Sequence, residues 1–260
     1  MRLIDTHCHL DFERFDEDRE EVLARAAAAG VARIVVPALD LDNCPAVLRL
    51  AGQYAPVYAA VGVHPNSSAG WEEAWLDTLR QLAHHEKVVA IGEIGLDYHW
   101  DESPRAVQQR AFAAQLQLAA ELGLPVIVHN RESSADVIAL LQASPLAHGE
   151  RPGVLHSFSA TWEAAQAALE LGFYLGFTGP VTFKKADDLR AVAARVPPAR
   201  LLVETDAPFL APQQHRGRRN EPAYVGLVAK RLAALHGITA EALAQQTTEN
   251  AIRLFGEQLA

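Results

Sequence analysis

The sequence predicts an α/β protein, a (β/α)8 TIM barrel, from its length, the rhythm of its apolar runs and the side chains that close those runs. At 260 residues the chain has the length at which such barrels form single domains of about 250 residues. Eight short runs rich in β-branched and other apolar residues read as strands: "RLIDTH", "ARIVVP", "PVYAAVGVH", "KVVAIGEIG", "LPVIVH", "GVLHS", "GFYLGFT" and "RLLVETD". Near-continuous apolar strands separated by helical segments mean a parallel sheet covered on its faces, and eight such units favour a closed barrel over an open doubly wound sheet. No Gly-x-Gly-x-x-Gly turn follows the first run, which removes the main pointer to a dinucleotide fold. No linker, long repeat or low-complexity tract divides the chain, so residues 1–260 are expected to form one domain.

The segments between the runs carry helix punctuation. "DEDREEVLARAAAAG" has acidic residues in its first turn and Gly30 as its stop, and the alanine-rich stretch from Ala24 to Ala29 reads as plain helix. "SPRAVQQRAFAAQLQLAAELG" offers Ser103 as N-cap, Pro104 at the first helical position and Gly123 as stop. Half the residues are apolar, enough for a sizeable core. No stretch approaches the roughly 18 to 20 uncharged apolar residues of a membrane span, and the N-terminus lacks a basic segment followed by an apolar run. A soluble, cytoplasmic protein is expected, and the two cysteines, Cys8 and Cys44, in no metal or redox spacing, suit a reducing compartment. The net charge of −9 argues against a surface that attracts nucleic acid everywhere, while leaving room for a local cationic groove or for metal ions that recruit phosphate.

Polar residues at the ends of the runs carry the chemistry, because a barrel enzyme builds its site at the C-terminal ends of its strands. The first run ends with His7 and His9, which share one face of an extended chain with Asp5 just below them. The third ends with His64, held extended by Pro65, and the fourth with Glu93, flanked by Gly92 and Gly95. The fifth, sixth and eighth end with His129, His156 and Asp206. Runs this apolar do not bury unsatisfied imidazoles or carboxylates cheaply, so a divalent-metal site is expected. The other six histidines, at 84, 85, 99, 148, 215 and 236, read as solvated or structural. Six ligands exceed what one tetrahedral ion needs beside an open position, so two ions about 3.5 to 4 Å apart are expected. His7, His9 and Asp206 are assigned to one, His129 and His156 to the other, with Glu93 bridging. Imidazole favours zinc, iron, nickel or manganese over magnesium, availability and open coordination still allow a magnesium or manganese form, and zinc, manganese or magnesium is expected with the identity open.

Seven stretches, "IDTHCHLD", "GVHP", "IGEIGLDY", "PVIVHNRES", "HSFSA", "ETDAPFL" and "RGRRNEPAYV", run in order from end to end of the chain, and together they resemble the TatD family of metal-dependent hydrolases and deoxyribonucleases, within the amidohydrolase-like barrels. The resemblance implies a TIM barrel of the metal-dependent hydrolase type, with divalent metal bound at His7, His9, Glu93, His129, His156 and Asp206. It also implies DNA as substrate, as single strands or 3′ ends, attacked in the 3′–5′ direction, with a place in DNA repair. Ser157 stands where a cysteine is frequent, Ala160 where glycine is, and Phe209 where tyrosine is, which removes a hydroxyl near the rim.

Paired cations lower the pKa of water and neutralise charge on phosphate oxygens, which suits phosphodiester hydrolysis. Asp206 and Glu93 are the candidate catalytic groups, Asp206 as proton acceptor for the attacking water. Candidate substrate-binding groups are His64, Arg131, Arg218 with its neighbours Arg216 and Arg219, Asn220, and Tyr98 or Trp100 as a stacking surface. Glu204, Asn220 and Glu221 have a second reading, ordering the last loop by hydrogen bonds. The alternative activity is a two-metal amide or ester hydrolase acting on a small molecule or an aminoacyl-tRNA adduct, and beyond it a non-catalytic metal-binding protein. Against the amide reading, many two-metal barrel amidohydrolases bridge with a modified lysine on the fourth strand, where this chain has Glu93. No obligate protein partner and no membrane partner is expected.

Overall fold

The computed structural model describes residues 1–100 and 102–260. All eight expected strands are present: β1 (Leu3–Asp5), β2 (Val31–Pro37), β3 (Val57–Val61), β4 (Val88–Asp97), β5 (Val126–Arg131), β6 (Gly153–Leu155), β7 (Tyr174–Phe177) and β8 (Leu201–Val203). They lie in one sheet in the order β1 to β8. Helices α1 (Arg19–Ala28), α2 (Cys44–Gln53), α3 (Trp75–Ala83), α4 (Arg105–Leu122), α5 (Ser134–Ala143), α6 (Trp162–Glu170) and α7 (Asp187–Ala193) alternate with them, and α8 (Val225–His236) and α9 (Ala240–Phe255) follow β8. Parallel strands in sequential order with a helix between each pair make this a (β/α)8 TIM barrel, as the apolar rhythm predicts.

Most strands end earlier than the sequence runs suggest. His7, His9, His64, His156 and Asp206 lie past the last ladder residue of their strands, whereas Glu93 and His129 lie inside β4 and β5. Backbone leaving the ladder is free to redirect a side chain, and Asp206 and Ser157 take left-handed φ angles of +55° and +44°. Helix starts also shift: Pro104, not Ser103, is the N-cap of α4, because the Ser103 hydroxyl donates instead to the Asn66 carbonyl at 3.1 Å. Gly123 ends α4 with a left-handed φ of +66°, as its position in the sequence suggests.

The chain forms two compact units. The first, residues Met1–Val36, Ser157–Ala165 and Leu175–Ala260, joins its last strand to its first. There the Thr6 amide donates to the Val203 carbonyl at 3.3 Å, and Cys8 bridges Ala207 in parallel register. Buried Asn250 of α9 donates its side-chain amide to the carbonyls of Pro198 (2.8 Å) and Leu201 (2.9 Å), fixing the entry to β8. The second unit, Pro37–His156 with Gln166–Tyr174, is centred on β4, buried along its whole length. Its ladder to β5 slips between Ile91 and Ile94, around Glu93, and resumes with Gly95 opposite His129 and Asp97 opposite Arg131. Gly95 has φ +141°, and a Cβ there would collide with the His129 carbonyl, so only glycine lets the two strands meet at this level. Buried Gln108 and Gln115 lie seven residues apart on one face of α4. Gln108 takes the Asp97 amide (2.9 Å) and donates to the Asp97 carbonyl (2.9 Å). Gln115 treats Val63, the residue before His64, in the same way, at 2.8 and 3.1 Å.

Candidate metal centre

In the first unit, extended backbone from β1 carries His7 and His9 to one side, and their Nε2 atoms stand 3.2 Å apart. The Asp206 carboxylate reaches both, with Oδ1 at 3.6 Å from His7 Nε2 and 3.5 Å from His9 Nε2. Two ligand atoms on one tetrahedral ion at about 2.0–2.1 Å lie about 3.3–3.4 Å from each other, so these three atoms have the spacing of a coordination edge. The Asp206 backbone is tied in as well, its amide donating to the His7 carbonyl at 2.9 Å. Beneath the pair, Asp5 accepts from the Thr205 amide (2.9 Å), the Thr205 hydroxyl (2.5 Å) and the His7 amide (3.4 Å). Burial pushes the Asp5 carboxyl up to about 8 in spite of these donors. Glu204, fully buried, accepts from the Ser157 amide (2.9 Å) and the Thr6 hydroxyl (3.2 Å) and lies against Gly176, where a Cβ would meet its carboxylate.

The second unit holds another such cluster. Glu93 Oε1 lies 2.8 Å from His129 Nδ1 and 2.8 Å from His156 Nε2, and those two nitrogens are 3.3 Å apart. His64 Nε2 approaches the same oxygen at 3.5 Å, and its Nδ1 accepts the Asn66 amide at 3.1 Å. That acceptor role puts the neutral ring's proton on Nε2, so His64 faces Glu93 as a donor. Burial pushes the His64 imidazole below its usual value, against the pull of Glu93. His129 Nε2 is turned the other way, to Asp97 Oδ2 at 3.0 Å, leaving Nδ1 for the cluster. Burial pushes the His129 imidazole down, but Asp97 and Glu93 outweigh it and hold it at about 9. Burial likewise raises the Asp97 carboxyl, and hydrogen bonds from His129 and the amides of Trp100 and His99 bring it to about 2.

The donors suit a divalent cation: imidazole nitrogens and carboxylate oxygens lie 3.2–3.6 Å apart in one cluster and 2.8–3.3 Å apart in the other. Asp97 is the functional residue that the sequence reading passes over. It is 1% exposed, and a carboxylate behind a ligating imidazole fixes tautomer and ring orientation. The signal was present, since Glu93, Gly95 and Asp97 recur with the period of a strand.

The residue ranges and motifs match a known family, described as TatD related DNase, over residues 4–256. The chain belongs to the TatD family. Among TatD relatives, the metal-dependent hydrolase YabD of Bacillus subtilis is 46% identical over 97% of this chain and 98% of its own. The 3'-5' ssDNA/RNA exonuclease TatD of Salmonella typhimurium is 37% identical over 97% and 98%. The crystal structure of the TatD homologue YjjV from Escherichia coli superposes with a TM-score of 0.92 at 39% identity, covering 98% of both chains. The protein is thus a TatD-type metal-dependent hydrolase with His, Asp and Glu groups able to hold metal.

The remaining site candidates of this TatD chain sort by their partners. Asn220 is fully buried and donates its amide to the carbonyls of Thr205 (2.8 Å) and Phe209 (2.7 Å), which leaves it ordering the Asp206 loop rather than facing substrate. In the basic loop, Arg219 is held by both oxygens of Asp18 at 2.7 Å, Arg216 stacks on Phe183 at 4.8 Å, and Arg218 is exposed. Glu221 grips Arg25 at 2.7 Å. Tyr98 donates its hydroxyl to Asp136 (2.5 Å), accepts from Gln109 (2.7 Å) and carries Arg105 over its ring at 4.3 Å. Its ring face and hydroxyl are taken, which argues against the stacking role expected of it. Arg131 is exposed at the end of β5. Among the six remaining histidines, His84, His85 and His148 are exposed, His215 stacks on Tyr224 at 3.7 Å, and His236 contacts the Ala193 carbonyl at 3.1 Å.

Proposed function

We propose that the protein is a 3′–5′ exonuclease that removes nucleotides from single-stranded DNA, using two divalent ions, zinc, manganese or magnesium. His7, His9 and Asp206 would hold one, and His129 and His156 the other, with Glu93 shared between them. The observation that carries the reading is the pair of clusters of two imidazole nitrogens and a carboxylate oxygen, 3.2–3.6 Å apart in one and 2.8–3.3 Å in the other, in a chain whose relatives include a 3'-5' ssDNA/RNA exonuclease. Bound cations would supply Lewis acidity toward water and phosphate oxygens. Within the chain, Asp206 accepts the proton of the attacking water, having a carboxylate that is 14% exposed on a backbone anchored to His7. Glu93, 3% exposed, stays an acceptor among three imidazoles. His64, held as an Nε2–H donor, can pass that hydrogen bond to a phosphate oxygen. Arg131 and Arg218, both exposed, meet the phosphate charge of the strand, and Asn220 keeps the Asp206 loop in place. With both cysteines free and buried, the enzyme on this reading works as one domain in the reducing cytoplasm, on 3′ ends of the kind DNA repair exposes.

The test is to incubate purified protein with end-labelled single-stranded DNA, RNA and a panel of amides, with zinc, manganese or magnesium added in turn. The expected result is stepwise loss of 3′-terminal nucleotides, abolished by chelator and by Asp206→Asn. Turnover of amides with DNA left intact would overturn it.

A further inference from the structure

Of the four tryptophans, only Trp100 stands open to solvent among the described residues, at 49% exposure. Trp71 is buried and packs edge-on against Trp75 at 5.7 Å, and Trp162 is covered by the Arg195 guanidinium at 3.8 Å. Trp100 is nonetheless held in place. Asp97 Oδ1 accepts the backbone amides of both His99 (2.9 Å) and Trp100 (3.1 Å), while Oδ2 of the same carboxylate contacts His129 at 3.0 Å. One buried side chain therefore orients an imidazole of the metal cluster and sets the turn that presents the indole. Trp100 is three residues beyond Asp97, so the turn that carries the indole starts from the same carboxylate that contacts His129.

Its neighbours suit a nucleotide. The His99 ring stands perpendicular to the indole at 4.8 Å and is itself braced by Glu132 at 2.7 Å. The Arg131 guanidinium lies 5.6 Å from the indole centroid, on the strand position paired with Asp97. An indole that is 49% exposed, with a guanidinium over its ring at 5.6 Å against 4.3 Å for Arg105 over Tyr98, offers stacking for a base and a partner for its phosphate, without reading sequence. Tyr98, next but one in the chain, is engaged by Asp136, Gln109 and Arg105 and so anchors the turn.

We infer that Trp100, with Arg131 beside it, is the platform on which a nucleobase near the 3′ end of the substrate strand stacks. This rests on the nuclease reading, and the experiment separates the two. Single-stranded oligonucleotides are compared with the same strands carrying abasic tetrahydrofuran residues at the 3′ end, on wild type, Trp100→Ala and Trp100→Phe. Trp100→Ala is expected to raise KM for the base-bearing strand by roughly tenfold to a hundredfold, to the abasic value, with Trp100→Phe keeping most of the preference. With chelator present, oligo(dT) should quench tryptophan emission of wild type and not of Trp100→Ala. An oligonucleotide that quenches wild type but is never cut supports the platform and overturns the nuclease reading. Equal KM for base-bearing strands in wild type and Trp100→Ala, or quenching that survives Trp100→Ala, overturns the platform.

Discussion

Replacing Asp97 by Asn should weaken cation binding without unfolding the protein. Asn retains a carbonyl oxygen for the amides of His99 and Trp100, which Asp97 holds at 2.9 and 3.1 Å, so the turn after β4 keeps its acceptor. What changes is the contact with His129 Nε2 at 3.0 Å. The carboxylate there can only accept, which puts the ring proton on Nε2 and leaves Nδ1, 2.8 Å from Glu93 Oε1, free to ligate. An amide nitrogen in that place donates to Nε2, and the ring proton moves to Nδ1, where it opposes a cation. Loss of such an outer partner costs roughly tenfold to a hundredfold in metal affinity, or about 1.4–2.8 kcal/mol. Competition against a chromophoric chelator measures it, with metal-free thermal unfolding as the control for the fold. Zinc or manganese binding by Asp97→Asn as tight as by wild type, at an unchanged unfolding temperature, would show that Asp97 does not set the ligating form of His129.

Asn220→Ala should destabilise and inactivate together, because it strands the buried carbonyl of Thr205 and releases the part-buried carbonyl of Phe209 on either side of Asp206; about 1–3 kcal/mol for the Thr205 partner is expected in urea unfolding, with a fall in kcat for DNA. Gly95→Ala should cost at least about 1–3 kcal/mol from its backbone conformation alone and yield little folded protein, read by circular dichroism, since the new Cβ meets the His129 carbonyl. Asp18, held at about 2 chiefly by its hydrogen bond from Arg219, with Arg25 assisting, has a depressed pKa. Its contribution is therefore present above the unfolded value of about 3.9 and lost as pH falls toward 2. The stability difference between wild type and Asp18→Asn, followed by urea unfolding, should shrink across that window and stay level above pH 5.

The fold was legible because the parallel strands of a barrel are apolar along their length, and each of the eight interrupts a helical pattern. The six strand-end ligand candidates were legible for the converse reason: imidazoles and carboxylates closing such runs have no inexpensive structural explanation. Strand ends were less so, since "GVLHS" gives no sign that the ladder stops at Leu155 and that Ser157 turns to φ +44°. Roles fixed by a tertiary partner were mostly hidden. Gln108 and Gln115 are polar residues in a helical stretch whose sequence does not tell their burial, yet both are buried and clamp the backbone at Asp97 and Val63. Asn220 and Arg219 sit in a loop whose composition suggests phosphate; loop ordering was already open as a second reading for Asn220, and its contacts with Thr205 and Phe209 select it, while Arg219 is tied to holding the loop by its contact with Asp18. Tyr98 and Trp100 are indistinguishable by type, and their partners separate anchor from platform.

Diffraction from crystals soaked in manganese, recorded at a wavelength where the metal scatters anomalously, tests the account at its centre. Two peaks are predicted, one bonded to His7 Nε2, His9 Nε2 and Asp206, the other to His129 Nδ1, His156 Nε2 and Glu93. Those six side chains without an anomalous peak, or peaks bonded to other residues, would contradict it.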